Sequence, residues 1–101
     1  MKPNLYHVLG AKQFSRTELD ELFAAARGME DVVRAGGNRS HEGRIMTTLF
    51  FEASTRTRLS FESAMSRLGG SVIGTENAAQ FSSAIKGETL EDTIRIVSGY
   101  S

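Results

Sequence analysis

An α/β fold, with a parallel sheet and flanking helices, is predicted by three features of this 101-residue chain. Arg44-Ile-Met-Thr-Thr-Leu-Phe-Phe51 is rich in β-branched and aromatic side chains and too short to be read as a helix. Helical spacing follows it, then a second short apolar run, Ser71-Val-Ile-Gly74, then another helical pattern from Thr89. Strands that alternate with helices are joined by crossovers, which implies a parallel sheet with right-handed connections.

Each element has a local cause. Ser15 and Glu18 have the spacing of a capping box, and Leu19, Leu22, Phe23, Ala26 and Met29 recur every three or four residues behind it. A first helix is therefore expected over about 15–35, stopping in Ala35-Gly-Gly-Asn-Arg-Ser40, where glycine supplies the conformations a helix end needs. The strand at 44–51 comes next. A second helix is expected over about 56–68, with Phe61, Ala64, Met65 and Leu68 on one face and Gly69-Gly70 as its stop. Ser71–Gly74 reads as a second strand, and Thr75 to Gly87 as a loop without period. Thr89 can cap a last helix, with Asp92 three residues on to favour the dipole and Leu90, Thr93, Ile94 and Val97 on its inner face.

Composition limits what this fold can do. The chain carries 12 basic and 12 acidic residues and no formal net charge, so no general electrostatic attraction to nucleic acid or anionic membrane is expected. No aromatic and basic residues interleave as in single-strand binders. No apolar run approaches the roughly 20 residues of a membrane span, and Met1-Lys-Pro-Asn-Leu-Tyr-His-Val8 has no leader-like apolar stretch, so a cytoplasmic protein is expected. Without cysteine there is no disulfide or thiolate metal site, and His7 and His41 lack ligand spacing, so neither metal nor cofactor is expected. One core at most fits this length, residues 1–101 forming a single unit. Two parallel strands leave much apolar surface uncovered, which predicts that the chain is part of something larger.

Ser54-Thr-Arg-Thr-Arg58 carries the chemistry. It lies between the first strand and the second helix, where unpaired amides converge and the helix dipole adds positive charge. Three hydroxyls can donate to one tetrahedral anion, and an arginine fork matches paired phosphate oxygens. A plain helix cap accounts for one hydroxyl, but guanidiniums beside the positive helix end are unfavourable unless an anion is present. Phosphate or carboxylate binding and simple capping both remain open on these grounds. The chain has neither Gly-x-x-x-x-Gly-Lys with Ser or Thr nor Gly-x-Gly-x-x-Gly, so a glycine cradle is not expected to hold the anion. Lys86, ahead of Gly87 in Phe81-Ser-Ser-Ala-Ile-Lys-Gly-Glu-Thr89, could swing a charge over a pocket, or could be an ordinary solvated lysine.

Phe50 to Gly70, followed by Ser82-Ser-Ala-Ile-Lys-Gly-Glu-Thr-Leu-Glu-Asp-Thr93, closely resembles the amino-terminal, carbamoyl phosphate-binding domain of aspartate carbamoyltransferases. The likeness runs from about Gly43 to Tyr100, and the two motifs in this order are highly specific. Ala53 departs from it, standing where the family commonly has proline. The resemblance implies part of the aspartate/ornithine carbamoyltransferase fold, with the aspartate-binding domain absent from this chain. It also implies transfer of the carbamoyl group of carbamoyl phosphate to L-aspartate, giving N-carbamoyl-L-aspartate and phosphate in pyrimidine biosynthesis.

By position, the resemblance assigns carbamoyl phosphate binding to Ser54, Thr55, Arg56, Thr57 and Ser82, a place near the carbonyl to Arg56 and Thr57, and contact with carbamoyl phosphate and L-aspartate to Lys86. Ser82 and Lys86 would reach an adjacent subunit, implying a homotrimer, with regulatory or dihydroorotase-type chains as further possible partners. Glu52 and Arg58 would be supporting residues through ion pairs. The family's remaining ligands, an arginine, a histidine and a glutamine, lie beyond this sequence, so these residues alone are expected to show negligible turnover. Ornithine carbamoyltransferase shares the Ser-Thr-Arg-Thr-Arg site, and a non-catalytic phosphate-binding or assembly module is the alternative of a different class.

Overall fold

The computed structural model describes residues 6–75 and 89–101. The chain divides into two compact units, 1–36 and 37–101. The first holds a short 3-10 turn at Ala11–Gln13 and helix α1, Arg16–Arg34. The capping box forms as the spacing predicts: Ser15 Oγ accepts from the Glu18 amide at 3.1 Å, and Glu18 Oε1 accepts from the Ser15 amide at 3.0 Å. Glu18 is buried by this exchange, whereas Leu22, Phe23 and Met29 of the periodic face stay exposed and Leu19 is half-buried.

The second unit contains a parallel β-α-β arrangement: strand β1, Ile45–Leu49, helix α2, Thr55–Arg67, and strand β2, Ser71–Thr75. Register runs from Ile45 opposite Ser71 to Leu49 opposite Thr75, so both strands end at one edge of the sheet. β1 is shorter than the 44–51 expected, its ladder with β2 running from Ile45 to Leu49 before the chain bends. Phe50 and Phe51 are half-buried in the bend that leads to α2.

α2 stops where Gly69 adopts φ 85°, a conformation open to glycine at little cost, and the Gly70 amide reaches back to the Met65 carbonyl at 3.1 Å. The preceding loop docks on this end: Asn38 N donates to Arg67 O at 2.7 Å and His41 N to Leu68 O at 2.9 Å. The closing helix α3 spans Leu90–Val97, capped by Thr89, whose hydroxyl accepts from the Asp92 amide at 3.1 Å.

Two expected faces are corrected. Phe61 is 59% exposed and Ala64 is also exposed, while Arg58, Glu62, Met65 and Leu68 are half-buried. The helix turns a polar pair toward the sheet because a strand hydroxyl satisfies it there. In α3, Thr93 is buried and Val97 half-buried, but Leu90 and Ile94 are exposed, with no described residue covering them. No helix among the described residues is long and apolar enough to cross a membrane.

Candidate anion site at the start of α2

β1 delivers the chain to the carboxyl edge of the sheet, where the bend at residues 50–53 reverses it into α2. Crevices outside the carboxyl ends of parallel strands are the usual ligand positions of open α/β sheets. Ser54 is the N-cap residue, and its carbonyl accepts the first helical bond from the Arg58 amide at 2.9 Å. Its side chain makes no capping hydrogen bond. The amides of Thr55, Arg56 and Thr57 therefore open α2 without the hydroxyl that closes α1 and α3.

Charge at this helix end runs against the dipole. The first turn of α2 has no acidic residue, whereas α1 has Glu18 and α3 has Glu91 and Asp92 in theirs. Arg56 is exposed and has no ion-pair partner among the described residues; Thr55 and Thr57 are exposed beside it. A helix start with a guanidinium and no carboxylate holds positive potential that an anion relieves, each such contact contributing about 0.3–1 kcal/mol from the dipole alone. Ser54, Thr55, Arg56 and Thr57, the candidates of the sequence, thus come together on one turn and its cap. Ser82 and Lys86 lie outside the described residues.

Arg58 behaves differently. Its Nε donates to Glu62 Oε2 at 2.9 Å, and the Thr48 hydroxyl donates to the same oxygen at 2.8 Å. The pair is largely shielded, with side-chain exposures of 29% for Arg58 and 19% for Glu62. Arg58 is thus ion-paired with Glu62, a residue to which the sequence assigns no site role, as it assigns none to Thr48. A signal for half of it existed in the i, i+4 spacing of Arg58 and Glu62, but nothing local points to Thr48. Gly74 leaves the room this contact needs: a Cβ there would collide with Thr48 Oγ1.

Among the described residues no group of three or more His, Asp or Glu side chains could hold a metal ion. The arrangement sets helix amides, hydroxyls and the Arg56 guanidinium side by side, donor groups of the kind that suit an anion.

Residues 6–101 match the family described as aspartate/ornithine carbamoyltransferase, carbamoyl-P binding domain. The chain is 61% identical over 100 residues to the chloroplastic aspartate carbamoyltransferase of Oryza sativa subsp. japonica, which covers 93% of this chain and 28% of the rice protein. It is 52% identical over 95 residues to the aspartate carbamoyltransferase catalytic subunit of Methanothrix thermoacetophila, covering 94% of this chain and 31% of that protein. The catalytic subunit of M. jannaschii aspartate transcarbamoylase superposes with a TM-score of 0.85 at 45% identity, over 94% of this chain and 31% of that one. Aspartate transcarbamoylase from Trypanosoma cruzi, solved with carbamoyl aspartate and phosphate, gives 0.83 at 47% identity, over 93% and 30%. The chain thus spans less than a third of the length of these relatives.

Proposed function

We propose, for a chain that belongs to the aspartate/ornithine carbamoyltransferase family through its carbamoyl-P binding domain, that residues 1–101 are the amino-terminal part of that domain and that the start of α2 seats the phosphate of carbamoyl phosphate. The observation that carries this reading is the uncapped first turn of α2, with Arg56 exposed and without an ion pair among the described residues. The protein to which the chain contributes is an aspartate carbamoyltransferase acting in pyrimidine biosynthesis. Relatives named for that activity at 52–61% identity, and a structure solved with carbamoyl phosphate and aspartate, support it over ornithine as acceptor.

The chemistry follows from the seat. The neutral aspartate amine attacks the carbamoyl carbon, the new N–C bond forms, the C–O bond to phosphate breaks, and the proton shed by the attacking nitrogen is taken up by the departing phosphate. Negative charge grows on the carbonyl oxygen and on the leaving phosphate. Arg56 and Thr57 serve both, with Ser54 and Thr55 on the phosphate; a fixed donor in such sites contributes about 3–4 kcal/mol to the barrier. In this reading Lys86 and Ser82 come from a neighbouring subunit of a trimer, so Lys86 meets both substrates across the interface.

The test is an assay of the protein expressed from its full coding sequence, with carbamoyl phosphate and either aspartate or ornithine. Carbamoyl aspartate is the expected product, with kcat/KM for ornithine at least about 100-fold lower. Faster reaction with ornithine, or no turnover with either acceptor, would overturn the reading.

A further inference from the structure

We infer that Glu62 is a positioning residue for the anion seat: it fixes the first turn of α2 on β1 and occupies the Arg58 guanidinium, so that Arg56 is the one that meets the ligand. This rests on the phosphate reading of the seat above.

Three observations converge. One carboxylate oxygen, Glu62 Oε2, takes donors from two elements, Thr48 in β1 at 2.8 Å and Arg58 in the first turns of α2 at 2.9 Å. Arg58 is also the residue whose amide closes the first helical bond, onto Ser54 O at 2.9 Å. The stretch Ser54–Arg58 is therefore held at its far end by backbone and side chain at once, and through Thr48 it is pinned to the sheet. Second, the strand side is cut to fit: Thr48 is 7% exposed, and Gly74, its partner in the β1–β2 register, lacks the Cβ that would displace the hydroxyl.

Third, helix stability alone does not explain the pair. Arg before Glu at i, i+4 is the less favourable order relative to the helix dipole. The i, i+4 pairs of α1, Arg16 with Asp20 and Glu30 with Arg34, are exposed, where such pairs contribute little. Arg58 and Glu62 are instead shielded, so their attraction is screened less by salt. Left uncompensated, the Arg58 charge would add to that of Arg56 at a helix end already positive. With Glu62 present, one guanidinium is neutralised on the sheet and one is exposed.

The experiment uses the protein expressed from its full coding sequence, with Glu62→Ala, Glu62→Gln and Thr48→Val. Readouts are KM for carbamoyl phosphate, KM for aspartate, and affinity for inorganic phosphate as a function of salt. Glu62→Ala is expected to raise the carbamoyl phosphate KM and weaken phosphate binding by at least about tenfold, since small misplacements of a site are costly, while the aspartate KM moves less than about twofold. Glu62→Gln keeps an oxygen for Thr48 and should recover part of the loss, with a steeper salt dependence because Arg58 is released toward the anion. Thr48→Val, which keeps shape and charge, should weaken phosphate binding by about threefold or more.

Variants that bind phosphate within twofold of the parent would overturn the inference, as would equal losses for both substrates without rescue by glutamine. If Glu62→Ala does not fold, Thr48→Val decides in the same terms. An unmodified protein that neither turns over nor binds phosphate would count against the phosphate reading itself, whereas an active parent with unmoved variants counts against Glu62 alone.

Discussion

α1 and α3 open on a hydroxyl that caps; α2 opens on one that does not. Ser15 and Thr89 each accept the amide three residues on, and each helix adds an acid in its first turn. Ser54 holds the same position, yet its side chain makes no capping bond, and the first turn of α2 has Arg56 with no carboxylate, whereas Arg16 at the start of α1 is paired with Asp20. The difference separates two uses of one feature. A helix start that satisfies its own amides and dipole offers little to an anion, and one without a side-chain cap or an acid keeps donors and positive potential that, in the reading proposed above, carbamoyl phosphate completes.

The largest expected effect lies at the open end. Arg56→Ala should reduce kcat/KM by about 10²–10³-fold, or roughly 3–4 kcal/mol, with the melting temperature unchanged or raised, because the residue removed opposes its own helix dipole. Steady-state kinetics beside a thermal melt checks both halves. An Arg56→Ala protein that loses stability and retains activity would erase the distinction between α2 and its neighbours.

α2 is tied to the sheet by Glu62, which accepts from Thr48 of β1. Gly74→Ala should destabilise the fold by about 1–3 kcal/mol, because the added methyl displaces Thr48 Oγ1 from Glu62. Denaturant unfolding measures it. The same change at Gly28, around which no atom lies within 4 Å of the added Cβ, should be neutral or stabilising by up to about 1 kcal/mol in α1.

The smallest effects sharpen the contrast most directly. Ser15→Ala and Thr89→Ala should each cost about 1 kcal/mol of stability and leave phosphate affinity alone. Ser54→Ala should instead weaken phosphate binding. Chemical denaturation and phosphate titration of the three variants side by side distinguish the two classes.

What the sequence disclosed and what it hid follow the same division between local and tertiary causes. Ser15 with Glu18 and Thr89 with Asp92 were legible because a cap is decided within four residues. The strand-to-helix turn that carries Ser54–Arg58 was legible because an apolar run and a helix start follow one another in the chain. The polar inner face of α2 was not: Glu62 and Thr48 are fourteen residues apart, and only the sheet brings them together. Phe61 illustrates the difference, since its helical spacing predicts an inner face and it stands exposed. Ser82 and Lys86 rest on resemblance alone, outside the described residues.

One measurement tests the open helix end most directly. Thr57→Glu would give α2 the Ser-x-x-Glu spacing that Ser15 and Glu18 use to close α1. Calorimetric titration with inorganic phosphate, on the parent and this variant expressed from the full coding sequence, should show binding in the parent and a loss of at least about 100-fold in the variant, whose melting temperature does not fall. Equal phosphate affinity in the two proteins would contradict the account, because the start of α2 would then be a cap like the others and the anion would be held elsewhere.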